Sequence, residues 1–121
     1  MKQKTFSFQA RLNSFEFAFK GIFKFFQQEP NAWIHQGATI IVFIAALFFK
    51  VSNNETISLV VVTGFVWVAE IFNTAVERVM DFISTERSPK IEFIKDLAAG
   101  GVVSAITAIV TGAIVFIPKL F

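Results

Sequence analysis

The residues of this chain best suited to chemistry form one polar stripe inside an apolar segment. Four polar side chains recur at steps of three, four and four within the run EIFNTAVERVMD: Glu70, Asn73, Glu77 and Asp81. An α-helix turns 100° per residue, so all four share an arc of roughly 80° on one helix face. Carboxylates at membrane depth are costly to expose to lipid, and such groups commonly mark a functional site.

The composition indicates a single-domain integral membrane protein. Of the 121 residues, 55% are hydrophobic, and the 17 Phe suit contact with lipid. The formal net charge of +2 is too small to indicate a nucleic-acid partner. The chain has no cysteine, which excludes a disulfide framework and thiolate chemistry. The pattern of residues 1–30 does not predict a cleavable signal peptide.

Hydrophobic periodicity predicts an all-α fold with one amphipathic surface helix and three transmembrane helices. Residues 6–28 carry an apolar stripe opposite a lysine-bearing face, which is typical of a helix lying in the membrane interface. A soluble amphipathic helix is the alternative. Pro30 ends this helix. The predicted membrane helices span about residues 33–49, 56–83 and 96–118, joined by a polar turn at 50–55 and a charged loop at 84–94.

The distribution of lysine and arginine predicts the orientation. Nine of the 11 cationic residues lie before the first membrane helix or around the second loop: Lys2, Lys4, Arg11, Lys20, Lys24, Arg78, Arg87, Lys90 and Lys95. Only Lys50 and Lys119 flank the other side. The positive-inside rule therefore places the N-terminus in the cytoplasm and the C-terminus outside. The polar groups then converge on the cytoplasmic leaflet, where nucleotide and Mg²⁺ are available.

The residue types suit phosphoryl transfer. Glu29 and Glu77, near the water boundary, suit Mg²⁺, which is often held by one or two carboxylates plus phosphate oxygens. Glu70 lies deeper and suits a general base for a hydroxyl group buried among lipids. Lys95 could neutralise a transferring phosphoryl group. The chain contains neither of the familiar glycine-rich nucleotide motifs.

Other interpretations stay open from the residues alone. Glu70 and Asn73 also fit a structural polar clamp between helices. A small transporter or proton relay would place carboxylates in membrane helices as well, although it should distribute them across the membrane, and here the outer half is apolar. A membrane assembly protein would need no carboxylate stripe. Three residues are interpreted as ordinary solvated charges: Arg78, Glu86 and Arg87.

Four motifs together resemble the prokaryotic diacylglycerol kinase family. In chain order they are SFxFAFKG (14–21), ExNxxIH (29–35), ExxNTAxExxxD (70–81) and KDxAAG (95–100). The resemblance spans about residues 14–119. It implies a small homotrimeric enzyme of the bacterial inner (plasma) membrane, which transfers the γ-phosphate of MgATP to a lipid alcohol.

The resemblance also implies roles for individual residues. Glu70 would be the catalytic base, Glu29 and Glu77 would hold Mg²⁺ on ATP, and the phosphates would be served by Asn73, Lys95 and Asp96. The ExNxxIH entry and the FIPK ending resemble the Gram-positive branch, which includes undecaprenol kinases, so diacylglycerol and undecaprenol both remain candidate acceptors. Trp33 stands where that branch usually has Arg, and Ile94 replaces a usual small residue.

The stripe also predicts an oligomer. Three helices offer little interior in which to hide these polar side chains from lipid. The small-residue face of Ala98, Gly101 and Ala105 offers a packing surface for a neighbouring subunit. The family resemblance makes that assembly a trimer.

Overall fold

The computed structural model describes residues 6–121, so Lys2 and Lys4 of the orientation argument lie outside the described residues. Five α-helices follow one another: α1 (Phe8–Gln28), α2 (Pro30–Phe48), α3 (Asn53–Ile83), α4 (Pro89–Ala99) and α5 (Val102–Leu120). The described residues fall into two compact units, divided between Gln36 and Gly37.

The described residues contain no strand, and three helical stretches are long and apolar enough to cross a membrane: Pro30–Phe48, Asn53–Ile83 and Pro89–Leu120. The prediction of an all-α integral membrane protein is confirmed. Most large apolar side chains on these stretches are exposed in the single chain. Such a surface requires lipid or neighbouring protein to cover it.

The N-terminal unit is a helix, an elbow and the start of a second helix. The hydroxyl of Ser7 caps α1 by accepting a hydrogen bond from the Ala10 N–H. Along the predicted apolar stripe, Phe8, Phe15 and Phe19 are exposed. Their exposure suits a helix that lies in a membrane interface.

Trp33 completes the elbow between α1 and α2. Pro30 has no N–H, so it cannot donate to the Phe26 carbonyl one turn earlier. The Trp33 indole N–H donates to that carbonyl instead, at 2.9 Å, and the two rings meet edge to face. Since Pro favours the first turn of a helix, α2 begins at Pro30, three residues before the predicted start.

Within the second unit, a capping box defines the N-terminus of α3. The Ser52 hydroxyl accepts from the Glu55 N–H, and the Glu55 carboxylate accepts from the Ser52 N–H. This capping box starts α3 at Asn53, three residues before the predicted start. The second oxygen of Glu55 lies 3.0 Å from Lys119 Nζ, which joins the start of α3 to the end of α5.

A second polar contact links α2 to α3. The Trp67 indole N–H donates to the Thr39 hydroxyl at 3.0 Å, within the second unit. An interhelical hydrogen bond of this kind is favourable in a membrane, where water does not compete for either group.

The third membrane stretch differs from its prediction at both ends. The Ser88 hydroxyl accepts from the Ile91 N–H, and Pro89 occupies the first turn, so the helix starts seven residues before the predicted 96. The loop after α3 is therefore only residues 84–88. At the other end α5 continues through Pro118 to Leu120, because Pro keeps a helical φ and removes one hydrogen bond.

A tight turn divides that stretch into α4 and α5. Gly100 and Gly101 keep right-handed helical angles, with ψ of −13° and −15°. Backbone hydrogen bonds there join residues three apart, as in a 3₁₀-helix: Gly100 to Leu97, Gly101 to Ala98, Val103 to Gly100 and Ser104 to Gly101. A Cβ at Gly100 would lie 2.9 Å from the Leu97 carbonyl oxygen, so this turn favours glycine.

Candidate functional site

The predicted stripe lies on a single continuous helix. Because α3 runs unbroken from Asn53 to Ile83, the four residues of the stripe share one face. Burial decreases along that face: Glu70 and Asn73 are partly buried, whereas Glu77 and Asp81 are exposed. The stripe therefore passes from a partly shielded position near the middle of α3 to an exposed one near its end.

Asn73 supplies an unused acceptor within the stripe. Its Oδ1 atom is buried and has no hydrogen-bond partner among residues 6–121. An unsatisfied buried acceptor of this kind costs on the order of 1–3 kcal/mol. Glu77 follows four residues later, so the two oxygen-bearing side chains are neighbours on the helix surface. Asn73 Oδ1 therefore has the capacity to accept a hydrogen bond or to coordinate a cation.

Lys95 on α4 reaches the exposed end of the stripe. Its Nζ atom lies 2.7 Å from Asp81 Oδ1, and the two side chains are 35% and 58% exposed. Ion pairs with this much exposure contribute little to stability, so Lys95 can exchange Asp81 for another anion at small cost. Asp81 was in the predicted stripe but not among the predicted site residues; its register with Glu77 was the available signal.

The two residues of the Lys95-Asp96 pair differ in placement. Lys95 is directed to α3, whereas Asp96, rotated 100° further around α4, is exposed. The Asp96 carbonyl accepts from the Gly100 N–H at 3.0 Å, which ties its backbone to the tight turn.

Glu29 belongs to the N-terminal unit. It caps the end of α1, where its N–H donates to the Phe25 carbonyl and its own carbonyl accepts from the Ala32 N–H. Glu77 belongs to the second unit. The pairing of Glu29 with Glu77 around a metal ion stays a prediction from the sequence.

Gly101 lies elsewhere than the sequence indicated. It was predicted to face a neighbouring subunit, but the structure packs it against Ala69 of the same chain, beside Glu70. Sequence reasoning missed this contact because small residues on a membrane helix can face a helix of the same chain or of another.

The oxygen-bearing side chains of the stripe fit a cation that arrives bound to a nucleotide better than a cation held by protein side chains alone. Within residues 6–121, no three His, Cys, Asp or Glu side chains converge as a metal site. Mg²⁺ commonly takes only one or two protein carboxylates and completes its coordination with phosphate oxygens and water. The Glu77 carboxylate and the unsatisfied Asn73 oxygen are donors of the type that it prefers.

Comparison with known proteins identifies the family. A model of the prokaryotic diacylglycerol kinase family matches residues 16–116. The chain belongs to this family. The match covers every predicted site residue, and the resemblance drawn from the four motifs is confirmed.

Two relatives of this kinase family are similar over most of the chain. Undecaprenol kinase of Bacillus subtilis is 32% identical over 108 residues, which cover 88% of each chain. Diacylglycerol kinase of Synechocystis sp. is 31% identical over 111 residues, which cover 90% of this chain and 63% of the relative. As a member of the family, the chain is a membrane lipid kinase of the diacylglycerol/undecaprenol kinase type.

Proposed function

We propose that this kinase transfers the γ-phosphate of MgATP to the hydroxyl group of a membrane lipid alcohol. The acceptor is diacylglycerol, which gives phosphatidic acid, or undecaprenol, which gives undecaprenyl phosphate. The observation that carries the proposal is the graded stripe on α3, with Lys95 held at its exposed end. A lipid hydroxyl requires a base at membrane depth. A nucleotide requires phosphate- and metal-binding side chains at the water boundary.

Glu70 acts as the general base in this proposal. It accepts the proton of the acceptor hydroxyl as that oxygen bonds to the γ-phosphorus, while the bond from this phosphorus to the β–γ bridging oxygen breaks and ADP leaves. Its partial burial on α3 supports the role, since a buried base can meet a hydroxyl that water does not reach. The proton transfer and the attack occur at one site only if base and hydroxyl are held within hydrogen-bond reach.

The remaining predicted residues bind and orient the nucleotide. Mg²⁺, when bound, neutralises charge on the phosphates, and Glu29 and Glu77 are its proposed protein ligands. Asn73 directs its free Oδ1 to the same group or to the water around it. The phosphates themselves are held by Lys95, which leaves Asp81 for them, with Asp96 organising the site.

The proposed orientation places this chemistry at the cytoplasmic face of the bacterial inner membrane. The distribution of Lys and Arg supports a cytoplasmic N-terminus and an external C-terminus. Because the chain has no native cysteine, a single cysteine at Phe121 should react with a membrane-impermeant maleimide added outside spheroplasts. A cysteine at Lys24 should react only after lysis, and the opposite pattern would reverse the orientation.

A homotrimer is the proposed assembly. The broad exposed apolar surface of the single chain and the buried, unsatisfied Asn73 oxygen support association, and the number three comes from the family resemblance. Crosslinking in a native-like bilayer should give a ladder that ends at the trimer. Recovery of monomers alone, at full crosslinker reaction with a control oligomer, would contradict it.

The test of the proposed function is a side-by-side phosphorylation assay. Purified protein in mixed micelles with MgATP should transfer labelled phosphate to diacylglycerol or to undecaprenol, and the rates on the two lipids identify the preferred acceptor. The Bacillus subtilis undecaprenol kinase serves as the positive control. No turnover on either lipid, where that control is active, would overturn the proposal and leave a transporter or an assembly protein as the alternatives.

A further inference from the structure

The tight turn between α4 and α5 brings the backbone of Gly101 close to Ala69 of α3, beside the proposed base. A Cβ built on Gly101 would lie 3.3 Å from Ala69 Cβ, 3.7 Å from the Ala69 carbonyl oxygen and 3.3 Å from the Ala98 carbonyl oxygen of its own turn. Carbon atoms normally meet at about 3.5–4.0 Å, so this position has no room for a side chain without movement. Ala69 immediately precedes Glu70 on α3. The contact thus sets the separation of α3 and α5 at the level of Glu70.

A second contact joins α4 to α3 at the other end of the stripe. Lys95, six residues before Gly101, reaches Asp81 at 2.7 Å. On α3, Ala69 and Asp81 are separated by about 18 Å of helix. The segment from Lys95 to Gly101 is therefore held to α3 beside Glu70 and again beyond Glu77. The glycine turn lies at one of these two points and orients α4 relative to α5.

We infer that Gly101 is a positioning residue for phosphoryl transfer: its missing side chain lets α5 approach Ala69 closely enough to hold Glu70 in its reactive geometry. The inference rests on the proposed function, because it assigns Gly101 to the support of the proposed base. Gly101 touches neither substrate nor nucleotide in this scheme. It acts through Ala69 and the backbone of α3.

The predicted consequence is a loss of rate without a loss of binding. In Gly101→Ala, the new methyl group must displace Ala69 by a few tenths of an ångström. Because a misplacement of about 1 Å can cost 10²-fold in rate, we expect kcat to fall by about tenfold. The KM for MgATP should stay within about twofold, since the proposed nucleotide-binding groups Glu77 and Lys95 lie further along α3 and α4 from this contact.

Two further variants make the test specific. Ala69→Gly removes the methyl group on α3 that the new side chain meets but leaves the Ala98 carbonyl contact within the turn, so Ala69→Gly combined with Gly101→Ala should recover the part of the lost kcat that comes from displacing α3. Gly112→Ala is the matched control on α5, because a Cβ there meets nothing within 4 Å. Its kcat should equal that of the unmodified protein, although it makes the same Gly→Ala substitution.

The measurement is kcat and KM for each variant in mixed micelles, with thermal unfolding recorded for the same samples. If Gly101→Ala does not fold, Ala69→Ser adds one atom to the opposite side of the same contact and should show the same drop in kcat. A Gly101→Ala kcat equal to that of the unmodified protein, or a loss that Ala69→Gly does not relieve, overturns the inference alone. If the unmodified protein phosphorylates neither lipid, the proposed function fails and this inference fails with it.

Discussion

Replacing Glu70 with Gln is expected to lower lipid phosphorylation by about 10³-fold, within the range that a positioned general base contributes. Gln keeps the size and hydrogen-bonding capacity of the side chain but cannot accept the hydroxyl proton. MgATP affinity should be nearly unchanged, because the variant alters no proposed ligand of the metal or the phosphates. The measurement is single-turnover transfer to the lipid, together with equilibrium binding of MgATP in the same bilayer mimetic.

A matched control for this variant is Glu92→Gln on α4. Glu92 is an exposed carboxylate that lies 3.9 Å from the highly exposed Arg87, and an ion pair this long and exposed contributes little to stability. The same loss of one negative charge should leave the rate within about twofold. If Glu70→Gln retained the full rate, Glu70 would instead be a structural clamp between helices, as its membrane depth also allows.

Replacing Glu77 with Gln is expected to weaken MgATP instead of stopping the chemistry. The variant removes one charged oxygen ligand from the proposed metal site. The free energy of one interaction with a charged group corresponds to about a 10–100-fold change in affinity. The apparent KM for MgATP should rise accordingly, and excess Mg²⁺ should restore part of the loss. The measurement is turnover and nucleotide binding across a Mg²⁺ titration, at fixed lipid concentration.

The contrast between the two carboxylates is what tests the assignment of roles. Glu70 and Glu77 are seven residues apart, about 10 Å along α3, and only the second is exposed. If Glu70→Gln lost MgATP binding while Glu77→Gln bound normally, the two roles would be reversed. Equal losses of binding in both variants would indicate one shared metal site and no separate base.

Trp33 shows how a departure from the family pattern can be understood once the fold is known. Its indole N–H donates to the carbonyl that Pro30 leaves without a donor, so the residue supports the elbow between α1 and α2. The Arg that the family resemblance leads us to expect would bring a charge to this position. In this chain the position stabilises backbone geometry.

The helices and the polar stripe could be predicted because their signals are local. A step of 100° per residue is enough to place Glu70, Asn73 and Glu77 on one face, whatever the rest of the chain does. The family motifs add to this, since their order and spacing are visible in the sequence alone. The early start of α3 was also encoded locally, in the capping box of Ser52 and Glu55, and was missed because the polar run 50–55 resembles a turn.

The start of α4 was missed for a similar reason. Residues 84–94 are rich in charge and contain a proline, which favours a loop interpretation. The structure uses Ser88 as a cap and Pro89 in the first helical turn, where its missing N–H costs nothing. Here the signal was present, but its meaning depends on whether the proline begins a helix or ends one.

What only the tertiary structure decided is which side chains meet across helices. The contacts of Lys95 with Asp81 and of Gly101 with Ala69 join residues 14 and 32 positions apart. Periodicity defines a face of each helix but carries no information on which face of which neighbour it contacts. In an apolar membrane helix many small residues offer equivalent packing surfaces, so the sequence determined the chemistry of the stripe, and the packing of α4 and α5 on α3 decided which residues position it.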